Sequence, residues 1–516
     1  MDTGKRHWAS LDRVWGLGLF VALGVLSWGL FRDFTEPWNT NIDFNGAWWS
    51  QSAHNHLRAG LLATAGVPSA SYFGPLPIPP SGYYTHHPPL LSMALAGMFA
   101  VLGEKEWVAR LLPIASSLVG LILLWLLVKE CAGSRAAAFS AVLFAAMPME
   151  LVFGRMVNFE PIDLVWMLSA LLCLRRWEQT GKRLWRNLMI AAFVLALWTA
   201  WLGYMFVLVV CLHFFITPGK RNARLALLLL GLSLVSIVLF LLHIRWVQPD
   251  AWQDLMGAFN RRLARTSGTG IKVTWAAWAG KMADTLRSQI LPFSWVLGVL
   301  GTVCVIRRWK NDESLRYLGS AALCFFVLSA FYVIVFQNAS YVHDYASFYF
   351  TVPLGMMGGV ALEAFLRACE ARRARMRTAG LAATMVTCAI LIFAGERQAL
   401  ALCAPYHILG KPNDFTPQLG RFMREKFPEG TNVICNFLPP YYGPYMQYYA
   451  QRTVLEHIFT TDEWINAVKD PEIAPVGAVI WLGKPKAKQV LAALPAGSRE
   501  EINVQGCPFC FWKPHR

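Results

Sequence analysis

Charge is scarce in this sequence. Only 15% of its 516 residues are Asp, Glu, Lys or Arg, against about 25% in a soluble domain, while 56% are hydrophobic and the mean hydropathy is +0.40. That shortage excludes an ordinary soluble helical core, because several apolar runs exceed core-helix length without a charge: Val14–Phe31, Leu112–Val128, Leu225–Ile244, Leu318–Phe336 and Thr378–Ala394. A lipid-facing helix needs roughly 20 mostly apolar residues, since lipid offers its backbone no hydrogen bonds. Other features are missing too. No glycine-rich phosphate fingerprint occurs, so a nucleotide site is not expected. No internal repeat is visible. No small-residue cleavage site follows the first apolar run, which therefore reads as a retained signal anchor. Cysteines at zinc-finger spacing are lacking as well: Cys173, Cys211, Cys304, Cys324 and Cys388 sit in apolar runs as small hydrophobes, and the Cys507–Cys510 pair stands alone. A disulfide on an oxidising side, with Cys403 or Cys435 as candidate partners, is the more natural reading of that pair.

Positive charge is the one kind present in excess, at a formal +16. Its placement argues against nucleic acid. Lys and Arg cluster in short loops between apolar runs, as the positive-inside rule predicts. Lys5, Arg6 and Arg13 place the N-terminus inside. The loops at 175–186, 220–224, 307–310 and 367–377 are inside too. The expectation is a polytopic α-helical membrane protein with about eleven transmembrane helices, near 14–31, 107–128, 136–152, 161–174, 187–199, 202–217, 223–245, 288–306, 316–336, 347–366 and 377–395. Residues 1–395 form this membrane domain, with outer loops at 32–106 and 246–287. Pro88–Gly103 is apolar but short, and is read as interfacial or re-entrant. Residues 396–516 regain Pro, Gly and charge and read as a small outer α/β domain. Helices are expected at Phe415–Lys426, Asp462–Val468 and Lys486–Leu494, and strands at Asn432–Phe437, Ala478–Leu482 and Glu501–Val504.

The polar residues able to act together collect on the outer face. Asp43 follows the first helix and can serve as a general base or a metal ligand, or simply be a solvated loop residue. His54 and Arg58 share a helical face. His86 and His87 precede two prolines in a rigid polar corner. Arg155, Glu160 and Asp163 lie in a short outer turn, where Glu160 can cap a helix and Arg155 is the expected partner of the membrane-depth Asp163. His343, Asp344 and Tyr345 form another outer turn. Arg261, Arg262, Arg265, Lys272, Lys281 and Arg287 break the positive-inside pattern and suit an anionic partner such as a phosphate.

Taken in order, the first-loop Asp43, the Tyr84-Thr85-His86-His87-Pro88-Pro89-Leu90 turn, the Arg155-to-Glu160-Pro161 turn and the His343-Asp344-Tyr345 turn resemble the GT-C glycosyltransferases of the protein mannosyltransferase type. That group includes bacterial enzymes that add aminoarabinose or galacturonic acid to lipopolysaccharide. The resemblance covers roughly residues 10–400 and implies a GT-C fold in a bacterial inner membrane, with the C-terminal domain periplasmic. It implies a polyprenyl-phosphate-linked sugar donor and a glycan, lipid or protein acceptor. Asp43 would be the base or the acceptor-positioning carboxylate, and Glu160 the second acid with Arg155 beside it. His86 and His87 would line the cavity. His343 and Tyr345 would contact the donor, and the 246–287 loop would hold its phosphate. Phe44 stands where many relatives carry a second acid, which weakens a divalent cation as cofactor. The rival reading is a secondary transporter or flippase, which would concentrate polar residues near the midplane and often show repeats.

Overall fold

The computed structural model describes residues 3–216, 223–263, 273–372, 374–405, 408–412, 414–438, 442–455, 466 and 476–515. Every segment expected to span carries helix, because long apolar runs have no other way to satisfy their backbone. In chain order these are α1 (Thr3–Leu30), α2 (Asp43–Ala59), α3 (Leu90–Leu102), α4 (Glu106–Ala132), α5 (Ser134–Ala145), α6 (Pro148–Phe153), α7 (Phe159–Thr180), α8 (Arg183–Thr199), α9 (Trp201–Ile216) and α10 (Ala223–Val247). They are followed by α11 (Ala251–Leu263), α12 (Trp275–Gln289), α13 (Pro292–Arg308), α14 (Glu313–Val335), α15 (Gln337–Val342), α16 (Thr351–Glu370) and α17 (Ala374–Leu402). Among the described residues, five helices are long and apolar enough to cross a membrane alone, or up to six if α12 and α13 count as one bent span. The chain is therefore a multi-pass membrane protein. At 13 residues, α3 falls short of a span.

One expected helix is broken and another starts late, and proline explains both. The run 136–152 divides between α5 and α6, where Met147 is extended ahead of Pro148. Before α13, Leu291 is extended ahead of Pro292, and α12 turns away by 89°. A proline disfavours helical backbone at the residue before it.

The C-terminal part begins with α18 (Phe415–Lys426), which coincides with the expected helix. Strands β1 (Asn432–Cys435), β2 (Thr453–Leu455), β3 (Val476–Trp481), β4 (Gly497–Val504) and β5 (Cys507–Pro514) form one sheet in the order β2-β1-β3-β5-β4. β1 is parallel to β2 and β3, whereas β5 is antiparallel to β3 and β4. A helix at Ala487–Ala493 follows β3. The helix expected at Asp462–Val468 lies outside the described residues except for Asn466. The expected disulfide is not formed; all eleven cysteines are free. The reason is strand geometry. Cys507 and Cys510 are three apart on β5 and so point to opposite faces. Cys435 on β1 is two strands from β5 and level with Phe511, four residues from Cys507, which puts it out of reach, and Cys510 faces its β3 partner Ile480.

This sheet is not a detached appendage. One apolar cluster runs from Trp38, Ala47 and Trp49 through Leu91 and Leu95 of α3 to Phe415, Leu419 and Tyr445. Helix α19 (Gly443–Ala450) is bonded to α2 and the segment just before it. Tyr445 Oη donates to Thr40 O at 2.7 Å, Tyr449 Oη accepts from Trp38 N at 2.8 Å, and Gln51 Nε2 donates to Pro444 O at 2.8 Å.

Candidate active site

A cavity of about 650 Å³ opens at the end of the bundle that carries α2 and the sheet. It has two characters. One lane is apolar, built by Leu202, Met205 and Leu208 of α9, Ile237 and Leu241 of α10, and Trp252, Leu255, Met256 and Phe259 of α11. The other end is polar and holds Asn45, His87, Asn158, Glu160, Arg262, His343 and Tyr345. Among the described residues of the lining, Glu160 is the only carboxylate and Arg262 the only guanidinium.

Glu160 sits in the first turn of α7, just past Asn158, whose extended backbone starts the helix. An acid there complements the helix dipole. Yet its Oε2 is buried without a hydrogen-bond partner, an arrangement that leaves an acceptor aimed at the cavity. Asp163, one turn deeper, is fully buried with neither carboxylate oxygen hydrogen-bonded. The expected Arg155 partnership is not made. Arg155 instead donates to the carbonyl of Arg32 and stands 3.9 Å from Asp33, because the close of α1 reaches it first.

Arg262 comes from the last turn of α11, where a cation is favoured by the helix C-terminus. Asn338 of α15 fastens that turn by donating to Arg261 O at 2.9 Å. Arg262 Nη2 lies 3.2 Å from His87 Nε2. His87 is stacked between Tyr84 and Phe159, at 5.9 and 4.6 Å between ring centroids. Burial, with Arg262, His86 and His343 nearby, holds its pKa well below the ordinary histidine value. His87 is thus neutral: Nε2 accepts from Arg262 and Nδ1 carries the hydrogen. His343 stacks on Tyr345 at 5.0 Å.

The remaining expected residues fall around the cavity. His86 Nε2 lies 2.9 Å from Asp254 of α11 and tethers that helix to the loop. Asp344 pairs with Lys281 at 2.7 Å, so it faces a neighbouring helix. Arg58 pairs with Glu429 at 3.0 Å and lies over the Tyr72 ring, away from this lining. Arg265 and Lys272 lie outside the described residues.

Asp43 is the largest departure. It does not line the cavity. Its Oδ2 accepts from the amides of Asn39 and Thr40 at 3.2 and 3.0 Å and from Thr40 Oγ1 at 2.8 Å, and its Oδ1 accepts from Arg110 at 3.1 Å. Burial raises its pKa, but Arg110, Arg155 and the Thr40 bonds outweigh it and hold the carboxyl below its usual value. A carboxylate so fully occupied is poorly suited to take a proton. Arg110 in turn rests 4.3 Å over the Trp38 ring. That ring passes so close to Gly46 that a Cβ there would meet it at 2.5 Å.

Reasoning from sequence missed Arg110, Asn158 and Asn45. Asn45 carried a signal, lying two residues past Asp43 at the start of a helix. Arg110 carried none beyond being a charge in an apolar helix. Among the described residues, no three His, Cys, Asp or Glu side chains come together to hold a metal ion.

The family model of dolichyl-phosphate-mannose-protein mannosyltransferase matches residues 86–246. ArnT from Cupriavidus metallidurans bound to undecaprenyl phosphate matches over 99% of this chain and 98% of its own, with a TM-score of 0.62 and 15% identity. The oligosaccharyltransferase AglB from Archaeoglobus fulgidus, in complex with an inhibitory peptide and a dolichol-phosphate, matches over 93% of this chain and 70% of its own, with a TM-score of 0.55 and 14% identity. The arabinofuranosyltransferase AftD from Mycobacteria matches over 98% of this chain but 40% of its own, with a TM-score of 0.51 and 12% identity. No curated protein matches in sequence. The resemblance read in the sequence stands, and this chain shares the fold of these structures.

Proposed function

We propose that the protein is a membrane glycosyltransferase that moves a sugar from a polyprenyl-phosphate donor to an envelope acceptor, on the outer face of a bacterial inner membrane. The observation that carries this is the cavity itself. An apolar lane of helix-borne Leu, Ile, Met and Trp runs into a polar end that carries the Arg262 guanidinium and the Glu160 carboxylate. A prenyl chain suits the lane. Its phosphate suits Arg262, which can bind it bidentately, with the Nδ1 hydrogen of neutral His87 as a further donor.

The chemistry then divides between the two charged groups. The acceptor hydroxyl oxygen attacks the anomeric carbon, and the bond from that carbon to the phosphate oxygen breaks. The electron pair leaves with polyprenyl phosphate, whose charge Arg262 stabilises. The hydroxyl proton passes to Glu160, which acts as general base. A single displacement of this kind inverts the anomeric centre. Asp43 serves this reading by position: with Arg110 and Thr40 it sets the start of α2, which carries Asn45 and Trp48 into the lining.

A transporter is disfavoured because the polar lining gathers at one end of the bundle and not near its middle. The test is mass spectrometry of envelope glycolipids and glycoproteins with and without the gene. A difference of one sugar mass, restored by wild type and not by Glu160→Gln, is expected. Unchanged glycans together with solute flux across proteoliposomes would overturn the reading.

A further inference from the structure

Leu62 is the most exposed large apolar side chain among the described residues, at 97%. A lone exposed leucine is ordinary; its surroundings are not. It tips a tight turn at 60–66 that follows α2, shaped by left-handed backbone at Gly60 and Ala65, with φ of 92° and 48°. No charged side chain occurs from Ala59 to Val67. The nearest charge in sequence, Arg58, is turned toward Glu429 and the Tyr72 ring. The turn also occupies its own carbonyls. Gly60 O accepts from Thr64 N at 3.0 Å, Leu62 O from Ala65 N at 3.2 Å and Leu61 O from Gly66 N at 3.2 Å. Thr64 Oγ1 roots the turn on His56 of α2, 2.8 Å from Nδ1. Carbonyls already bonded can leave water at little cost, which is the condition lipid sets.

The turn is fastened to a surface that faces lipid. Ala65 O lies 2.7 Å from His243 Nε2 of α10. His243 is four residues from the end of that helix at Val247, about 6 Å along its axis. It shares one helical strip with Leu239, Leu242 and Trp246, which are 50, 61 and 80% exposed. The opposite side of α10 sends Ile237 and Leu241 into the apolar lane. Because α10 is long and apolar enough to cross a membrane alone, the strip turned away from the lane meets the bilayer. On its other side the turn rests on α3: a Cβ on Gly66 would come within 2.9 Å of the Met93 sulfur. α3 carries no charge from Leu90 to Leu102 and leaves Met93 and Val101 exposed. The turn thus bridges two apolar surfaces.

We propose that the 60–66 turn dips into the membrane and that Leu61 and Leu62 lie among the acyl chains of the leaflet on the cavity's side. The partner is lipid hydrocarbon, met because the turn is bonded to a lipid-facing strip. The insertion ties that leaflet to the site, since α2, which roots the turn through His56, also carries Asn45 and Trp48 into the lining. The assignment does not depend on the transferase reading. It is tested with Leu62→Cys bearing a nitroxide, in full-length protein reconstituted into liposomes. Ser498→Cys, exposed on β4, is the aqueous reference, and labelled wild type supplies the background from native cysteines. Leu62 touches little, so the variant keeps the fold. Collisions with oxygen, which concentrates in hydrocarbon, relative to those with a water-soluble nickel chelate are expected to be several-fold higher at 62 than at 498. Equal access of the chelate to both positions would overturn the insertion. So would a label at 62 shielded from both reagents, which would place a second copy or the protein itself over the tip; dipolar broadening would mark the second copy.

Discussion

Arg262 Nη2 faces His87 Nε2 at 3.2 Å, a guanidinium that is always charged against a ring nitrogen that must be unprotonated to receive it. The contact keeps the arginine pointed into the cavity without cancelling its charge, as a carboxylate partner would. An anion-binding group is thus oriented and left electrostatically free. Arg262→Ala is expected to weaken binding of polyprenyl phosphate by about 10–100-fold, the range of a charge-assisted hydrogen bond. Arg262→Lys should recover only part, since a point charge lacks the planar fork. Titration of the reconstituted protein with the lipid phosphate measures both.

Glu160→Gln is expected to reduce sugar transfer by about 10²–10⁴-fold, the usual contribution of a general base, while the protein still inserts and binds donor. Glutamine keeps the shape of the side chain, so unchanged elution in detergent would separate lost chemistry from lost folding. Transfer at the wild-type rate would remove Glu160 from the role.

Asp43→Asn is expected to act chiefly through stability. The Arg110–Asp43 pair is buried, with side chains 4% and 6% exposed, and removing one partner of a buried pair costs about 3–5 kcal/mol. Combining Asp43→Asn with Arg110→Met should therefore be less damaging than the two single costs added, by about 1 kcal/mol or more. Thermal unfolding of the four proteins checks this. Strictly additive costs would show that Asp43 acts elsewhere.

A pH effect follows from His56 on α2, which is 1% exposed and bonded to Thr64 Oγ1 at 2.8 Å and Ser92 Oγ at 3.1 Å. Burial lowers its pKa from 6.5 to about 4. The unfolded chain therefore takes up a proton between pH 6.5 and about 4 while the folded protein does not. His56 thus costs no stability above pH 6.5, and stability falls as pH drops through that window, by on the order of 3 kcal/mol at its lower end. Replacing His56 with Gln should flatten this part of the stability profile, whatever it does to stability at neutral pH. An unchanged slope would assign the acid sensitivity to other groups.

The places of the helices were legible because an apolar run has one solution in lipid, and α18 was legible from its amphipathic period. The partners of charged residues were not. Asp43 meets Arg110, Arg58 meets Glu429 and Asp344 meets Lys281, each choice made by packing between distant segments, and local spacing carries no record of it. The turns holding His87, Glu160 and His343 could be picked out as polar breaks between apolar runs. That Glu160 and not Asp43 reaches the cavity depends on how α2 rests on α4 and the sheet. β5 was hidden because its two cysteines drew attention to sulfur chemistry, whereas they serve as apolar residues on opposite faces of a strand.

The bonds from α19 to the segment between α1 and α2 set an order on biosynthesis. Tyr445 reaches back 405 residues to Thr40, and Trp38 reaches forward 411 to Tyr449. The ribosome releases the turn around Asp43 early, but its Trp38 amide and Thr40 carbonyl wait for partners until the chain is nearly complete. A chain stopped before residue 443 would hold every apolar run of the bundle and still leave the loop that frames its cavity unfastened. The first loop made is among the last to be finished, so a nascent protein already threaded through its membrane has no assembled site until its end arrives.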